Sequence, residues 1–247
     1  MKNSTTYIIV SCCIIITALS CKKENRNNCI KGTGPLVREE RVMPAFDTLR
    51  VFDNIHLFLD MDSQRRVVVE CGEKLLPGIQ TDVINNELII RNNNICNWLR
   101  SYKRGIINVY VYTPPILKIV TNSTAPVKGM DTIKTHYMYL SVMNTGDVEL
   151  TLNMVLLLGD THSSGDVILH GTCGILNMWL LGTNFLRSYD LETSYSFIQS
   201  HTTGDSYTYV TTELGVLINS EGNIYYRGNP SKVAVENSGT GELVKVD

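Results

Sequence analysis

The sequence predicts an all-β fold, built as a right-handed β-helix-like solenoid with an N-terminal β-strand capping region. Short apolar runs rich in Val, Ile and Tyr recur along the chain, as in Ile106–Tyr112, and Gly, Asn, Asp and Thr separate them. A small polar turn, followed by Gly, an acidic or amide residue and an apolar strand, then repeats at a nearly constant spacing. The best helical candidate is the short fragment Glu73–Leu76, which Pro77 and Gly78 stop.

A row of turn glycines carries the repeat. The steps between them are 19, 17, 22, 18 and 19 residues, which fits one solenoid coil per step. Glycine adopts a positive φ without steric cost, so the motif favours left-handed turn positions at these sites. Stacked coils would bury a continuous apolar core that a single repeat cannot form. The glycines are Gly146, Gly165, Gly182, Gly204, Gly222 and Gly241.

The N-terminus has the pattern of a lipoprotein signal peptide over residues 1–20. Lys2 precedes the apolar run Tyr7–Leu19, which is shorter than the about 20 residues that a helix needs to cross a bilayer. The run ends at Ala18-Leu19-Ser20-Cys21, which is similar to a lipobox. We therefore expect cleavage before Cys21 and acylation of Cys21, with palmitate among the acyl chains, as an anchor in the outer membrane. An ordinary cleavable signal is the alternative, and the surface-exposed and periplasmic orientations both stay open.

The rest of the chain divides into a polar tether (21–34), an N-terminal β region (35–115) and the solenoid repeats (116–247), the last two forming one continuous domain. Removing residues 1–20 takes away one base, Lys2, and no acid, so the formal charge changes from −2 to −3. Nucleic-acid binding calls for a clustered basic face, which this composition does not favour.

No familiar catalytic or metal-binding motif occurs in the sequence. There is no Cys-x-x-Cys, no pair of histidines at i and i+4, and no phosphate-binding loop or Gly-x-Ser-x-Gly turn. We therefore predict no enzyme activity, no metal and no cofactor. After Cys21 four cysteines remain, for which a Cys71–Cys96 disulfide and otherwise buried thiols are expected: Cys29, Cys71, Cys96 and Cys173.

Aromatic residues are the best candidates for a ligand-binding face. Tyrosine offers rigid contact area to proteins and sugar rings when it is exposed. The alternative is ordinary strand propensity, with about half of the tyrosines hidden by alternation. The candidate face consists of Tyr207, Tyr209, Tyr225 and Tyr226, whereas Trp179 is predicted to lie in the core.

Two further groups of polar residues have both a functional and a purely structural interpretation. Stacked turns would align four carboxylates on one edge of the solenoid. There they would bind Ca²⁺ or act as the acid and base of a polysaccharide lyase or hydrolase. We expect instead that each carboxylate serves its own turn and faces water. His162 and His201 occupy equivalent turn positions and would lie near one another as a metal or pH-sensing pair, or as plain polar turn residues. The carboxylates belong to Asp147, Asp166, Asp205 and Glu242.

Five blocks of sequence recur in a fixed order from Arg38 onward. The blocks are Arg41–Val51 (RVMPAFDTLRV), Leu75–Ile90 (LLPGI leading to ELII), Val109–Ile119 (VYVYTP with LKI), Gly222–Pro230 (GNIYYRGNP) and Asn237–Gly241 (NSGTG). Together they resemble the auto-transporter adhesin head GIN domain family. The resemblance implies an exported lipoprotein with a β-solenoid fold and an adhesive role. The turns Thr124-Ala125-Pro126 and Gly182-Thr183-Asn184 depart from the small-residue turns of the family.

The sequence thus leads to a lipid-anchored binding or adhesion module that recognises an unknown glycan or protein through a solenoid face. A periplasm-facing structural or assembly protein of the envelope is the alternative, and a carbohydrate-active β-helix enzyme is a third reading. Open solenoid ends need covering, so a homo-oligomer is also expected.

Overall fold

The computed structural model describes residues 32–94 and 106–246, and nearly all of their regular structure is β, which confirms the predicted class. The signal peptide, Cys21, Cys29, Cys96 and most of the tether lie outside these residues. In the part described, the single helix is the 3-10 turn Leu76–Gly78, next to the predicted helical fragment. The strands are β1 Leu36–Val42, β2 Thr48–Asp53, β3 Ile55–Met61, β4 Arg66–Gly72, β5 Ile79–Ile84, β6 Glu87–Asn92, β7 Ile107–Thr113, β8 Lys118–Ser123, β9 Val127–Val142, β10 Val148–Ser163, β11 Val167–Gly182, β12 Leu186–Thr202, β13 Ser206–Ile218, β14 Ile224–Arg227, β15 Lys232–Asn237 and β16 Leu243–Lys245.

The strands stack as a β-solenoid of about 7 turns. From β9 to β13 each coil is essentially one long bent strand, and neighbouring coils pair in parallel. The opening residues of these strands, with β14 and β16, form what we call the first face. Their closing residues, with β15, form the second face.

At the other end of the solenoid the strands are not in sequence order. The coil made by β2 and β3 lies between the coil of β6 and β7 on one side and that of β8 and the start of β9 on the other. These contacts are all parallel, so the solenoid begins within the predicted N-terminal region. The antiparallel strands β1, β4 and β5 lie at this end.

The core runs along the solenoid between the two faces. In the register Val148–Val167–Leu186, every inward side chain is fully buried. In β12 and β13 serine and threonine replace some of the inward apolar residues, and their hydroxyl groups form hydrogen bonds with one another. Ser196 Oγ lies 2.8 Å from Thr193 Oγ1 and 3.1 Å from Thr208 Oγ1, which provides partners for these buried polar groups.

The predicted positive φ at the turn glycines is wrong for all but Gly182. Among the glycines described, positive φ occurs at Gly34, Gly171, Gly182 and Gly228. The other turn glycines are required by the close approach of stacked coils, because a Cβ on Gly165 would lie 2.3 Å from the carbonyl oxygen of Gly146.

The corner position of the irregular coil belongs to Asn184 rather than Gly182. A Cβ on Gly204 would lie 2.1 Å from the carbonyl oxygen of Asn184, whereas Gly182 pairs with Ser163 inside a strand. Asn184 also donates from Nδ2 to the carbonyl oxygen of Ser163 at 2.8 Å. With Asn184 at the corner, the steps become 19, 19, 20, 18 and 19 residues, which is more regular than the glycines alone indicate.

Candidate functional site

Three of the four predicted ligand-face tyrosines point outward from the first face. The rings of Tyr207 and Tyr225 stack across neighbouring coils, with centroids 5.3 Å apart and planes inclined by 11°. Tyr209 is half-buried on the same face. Tyr226 is in register with the buried Thr208 and packs against the core. Because side chains alternate along a strand, Tyr225 and Tyr226 cannot both point outward from the first face.

The ring faces of this tyrosine stack are largely occupied within the chain. Tyr189 packs on Tyr207 with centroids 5.2 Å apart, and the Arg227 guanidinium lies 4.1 Å from the centroid of the Tyr189 ring. Burial raises the pKa of both Tyr189 and Tyr207 above its usual value. The stack therefore offers edges and hydroxyl groups to a ligand more than open ring faces.

Trp179 lies on the second face with 47% of its surface exposed, so the prediction that it belongs to the core is wrong. Its neighbours Met178 and Leu180 are fully buried. The segment Asn177–Leu181 reads as an apolar run, but its residues alternate between the core and the surface. A run of five residues that is mostly apolar hides that alternation.

Trp179 separates the two histidines that were expected to lie together. His162 lies one coil before it and His201 one coil after it, with ring centroids 6.4 Å and 6.2 Å from the indole. Asn219 in the next coil approaches His201 Nε2 at 3.3 Å through its side-chain amide. The result is an indole flanked on both sides by polar rings.

A buried carboxylate lies beside this indole. Asp160 is 6% exposed and is in register with Trp179. Its Oδ1 accepts a hydrogen bond from the Tyr139 hydroxyl, and its Oδ2 lies 2.9 Å from both Ser141 Oγ and His162 Nε2. The hydrogen bond to Asp160, with burial of the phenol as a smaller contribution, raises the pKa of Tyr139 to about 12.

Further aromatic rings are exposed on the same second face. The ring of Phe197 lies over Gly215 of the next coil, where an added Cβ would come within 2.8 Å of Phe197 Cδ1. Exposed aromatic side chains are enriched at interaction sites. We call this surface the second-face patch; its members are Tyr137, His162, Trp179, Tyr195, Phe197 and His201.

The turn carboxylates bind the backbone of the following coil. Asp147 Oδ1 accepts from the Asp166 amide at 2.9 Å, and Asp166 Oδ1 accepts from the Phe185 amide at 3.0 Å. Asp205 does the same for Asn223 at 2.8 Å. Glu242 instead donates its backbone amide to Asn223 Oδ1 at 2.9 Å. The carboxylates thus link successive turns rather than only their own.

No group of three or more His, Cys, Asp or Glu side chains in residues 32–94 and 106–246 is arranged to hold a metal ion. Cys71 and Cys173 are buried free thiols, and burial raises the pKa of Cys71 to about 11. The expected disulfide partner of Cys71, Cys96, lies outside the described residues.

Solved structures with the same architecture come from Bacteroides and Parabacteroides species. A "putative adhesin" from Bacteroides fragilis is 17% identical with a TM-score of 0.80, and the match covers 86% of this chain and 97% of that one. A "putative adhesin" from Parabacteroides distasonis is 16% identical with a TM-score of 0.60, and the match covers 87% of this chain and 98% of that one. A "putative lipid binding protein" from the same species is 17% identical with a TM-score of 0.60, and the match covers 87% of this chain and 98% of that one. At these identities the likeness is one of fold.

A comparison with curated proteins gave no match. The family model described as "Putative auto-transporter adhesin, head GIN domain" matches residues 45–230, which span all the coils from β2 to β14. The chain therefore belongs to the auto-transporter adhesin head GIN domain family.

Proposed function

We propose that the chain is a lipid-anchored binding module of the cell envelope that recognises glycan through the second-face patch. The observation that carries the proposal is the exposed indole of Trp179 beside the buried carboxylate of Asp160. The tyrosine stack of the first face is the weaker candidate, because its ring faces are covered by one another and by Arg227.

The chemistry of a sugar ring fits this arrangement. A pyranose has an apolar face of C–H groups, which stacks on an aromatic ring, and a rim of hydroxyl groups, which need hydrogen-bond partners. Trp179 supplies the ring, while His162 and His201 stand at its two sides and Gln199 is exposed in the next coil. The patch thus offers both kinds of contact within neighbouring coils.

The polar side of the patch is held in place before any ligand arrives. Asp160 receives hydrogen bonds from Tyr139 and Ser141 of the preceding coil, and it faces His162 at 2.9 Å. His162 is thereby oriented beside the indole. Side chains that are already ordered lose less entropy on binding, which favours affinity for a small polar ligand.

The envelope location is part of the proposal. It is supported by the family, whose description is that of an adhesin, and by the signal-like residues 1–20 ahead of Cys21. No helix in the described ranges has the length and apolar character required to span a bilayer.

Binding is tested on a glycan microarray, followed by calorimetry of the best ligand with the full-length chain. We expect Trp179→Ala to weaken binding at least tenfold and Trp179→Phe to retain part of it. The matched control is Tyr207→Ala, which removes an aromatic ring from the first face and should leave the affinity unchanged. Equal losses in both alanine variants, or no glycan bound by the wild type, would overturn the proposal.

A periplasm-facing assembly protein is the second candidate, favoured by the uncovered end strand β15. Protease treatment of intact cells separates the two, with a periplasmic protein as control. Degradation of the chain while the control survives supports binding outside the cell. Survival until the outer membrane is opened supports the assembly role.

A further inference from the structure

The end of the solenoid at β15 exposes residues that belong to the core column. Val233 and Val235 are 41% and 49% exposed, although their register partners Leu214 and Val216 in β13 are buried. All of β15 is exposed, and in the part of the chain described it pairs with β13 alone. On the first face the end strand is β16, which pairs with β14. Among the described residues, therefore, nothing covers the apolar interior at this end.

An open strand edge of this kind presents free backbone donors and acceptors to another chain. The sequence of β15 indicates which chain fits. The segment Lys232–Glu236 (KVAVE) has the same apolar pattern when it is read from either end, and its two ends carry opposite charges. An antiparallel pair of two such strands centred on Ala234 sets Lys232 against Glu236 and Val233 against Val235.

We propose that a second copy of this chain covers the end, through two-fold antiparallel pairing of β15 centred on Ala234. Opposite charges directly across an antiparallel pair stabilise it, and like charges destabilise it. Parallel pairing in the same register would set Lys232 against Lys232 and Glu236 against Glu236. Within the described residues Glu236 has no ion partner, while Lys232 Nζ already lies 2.6 Å from Glu213 Oε1. The second copy supplies Glu236 with a cation and Lys232 with a second carboxylate.

The symmetry of the pair has a consequence for ligand binding. A two-fold axis between antiparallel strands is perpendicular to their sheet, so the second faces of both copies point the same way. Two second-face patches then lie on one side of the dimer. Under the proposed function, a surface with repeated ligands would engage both patches and gain avidity. The dimer itself does not depend on the identity of the ligand.

Cysteine cross-linking of the full-length chain tests the register in membranes. Ala234→Cys places two cysteines directly opposite at the axis, where Cβ atoms are about 5 Å apart. We expect a disulfide-linked dimer under mild oxidation. Ser231→Cys is the matched control, because two copies of residue 231 would be about 20 Å apart in the same register. The unsubstituted chain reports any cross-linking through its own cysteines. Equal cross-linking of both variants would overturn the proposed register.

Sedimentation of the detergent-solubilised full-length chain tests the association itself. Glu236→Lys sets lysine against Lys232 at both ends of the pair, and we expect the dissociation constant to rise at least tenfold. The control Glu192→Lys makes the same charge change on an exposed residue of β12. A wild type that stays monomeric over the whole concentration range, or two variants that behave alike, would overturn the proposal. Either outcome leaves glycan binding by Trp179 to be judged separately.

Discussion

The hydroxyl group of Tyr139 donates a hydrogen bond to Oδ1 of Asp160, across the boundary between two neighbouring coils. Ser141, two residues further along the same strand, donates to the other oxygen of that carboxylate at 2.9 Å. One buried acid therefore ties β9 to β10 at the point where Trp179 of the next coil is exposed. The stability of the patch and the ionisation of Tyr139 are linked through this contact.

Removing the Tyr139 hydroxyl should destabilise the fold measurably. Tyr139→Phe leaves the buried carboxylate with one donor fewer, and hydrogen bonds to charged groups contribute about 1.5–3 kcal/mol. We expect a loss of this size in the free energy of unfolding measured with urea. Tyr137→Phe, two residues earlier on the same exposed row, should change it by less than about 0.5 kcal/mol. Equal losses in the two variants would contradict the role of the hydroxyl.

The raised pKa of Tyr139, about 12 against 10 in the unfolded chain, predicts a specific pH dependence. Between these values the folded chain holds a proton that the unfolded chain has released, so the free energy of unfolding falls as the pH rises. The stabilisation is complete below about pH 10 and is lost through about pH 12. Unfolding of the wild type and Tyr139→Phe at several alkaline pH values should show the decline in the wild type and a smaller one in the variant.

Substituting a corner glycine should cost far more than substituting a glycine in open space. Gly165→Ala places a Cβ 2.3 Å from the carbonyl oxygen of Gly146, and the coils cannot separate without breaking their ladder. We expect a loss of about 3 kcal/mol or more, or failure to fold. Gly32→Ala, whose Cβ would meet nothing within 4 Å, is the control. Thermal unfolding of both variants measures the difference.

The carboxylate of Asp166 should act mainly as an acceptor for the next coil. Asp166→Ala removes the partner of the Phe185 amide and should cost about 1–3 kcal/mol. Asp166→Asn keeps an oxygen for that amide but weakens the contact with Arg187, at 2.9 Å, which as a partly exposed ion pair contributes about 1 kcal/mol at most. A larger loss in the asparagine variant than in the alanine variant would refute this ranking.

Cys71 should be unreactive in the folded chain and reactive once it unfolds. Its thiol is buried and its pKa is about 11, so little thiolate is present or accessible at pH 8. Alkylation followed by peptide mapping should modify Cys71 only in denaturant, without any need for reductant. A requirement for reductant would instead reveal a disulfide, such as the Cys71–Cys96 pair.

Much of the architecture can be predicted from local sequence patterns. The alternation within each coil and the spacing of the turn glycines predict an all-β fold and a solenoid, because both features repeat in the chain itself. The structural reason for glycine at the corners could not be predicted from the local sequence. The contact of Gly165 with the Gly146 carbonyl joins residues one coil apart, and only the stacking distance reveals it.

The candidate site depends on register, which is why the sequence predicts it poorly. Trp179 lies in an apolar run, and its exposure follows from the register that sets it beside Asp160 while Met178 and Leu180 point into the core. Tyr226 differs from Tyr225 by one position, and that step turns its side chain from the outer side of the sheet to the side that packs against the core. Neither composition nor propensity distinguishes such neighbours.

The position of the β2–β3 coil between later parts of the chain determines the order in which this fold can be completed. Its two neighbouring coils are supplied by β6 with β7 and by β8 with β9, all of which follow it in the chain. As the polypeptide is made, one edge of that coil can pair with β6 and β7, but the other edge stays open until β8 and the residues from Val127 have arrived. The β2–β3 coil therefore cannot be enclosed in the order in which the strands are made. In the regular coils of β9–β13 each strand docks on its immediate neighbour in the chain, whereas β2 and β3 wait for partners that are synthesised much later.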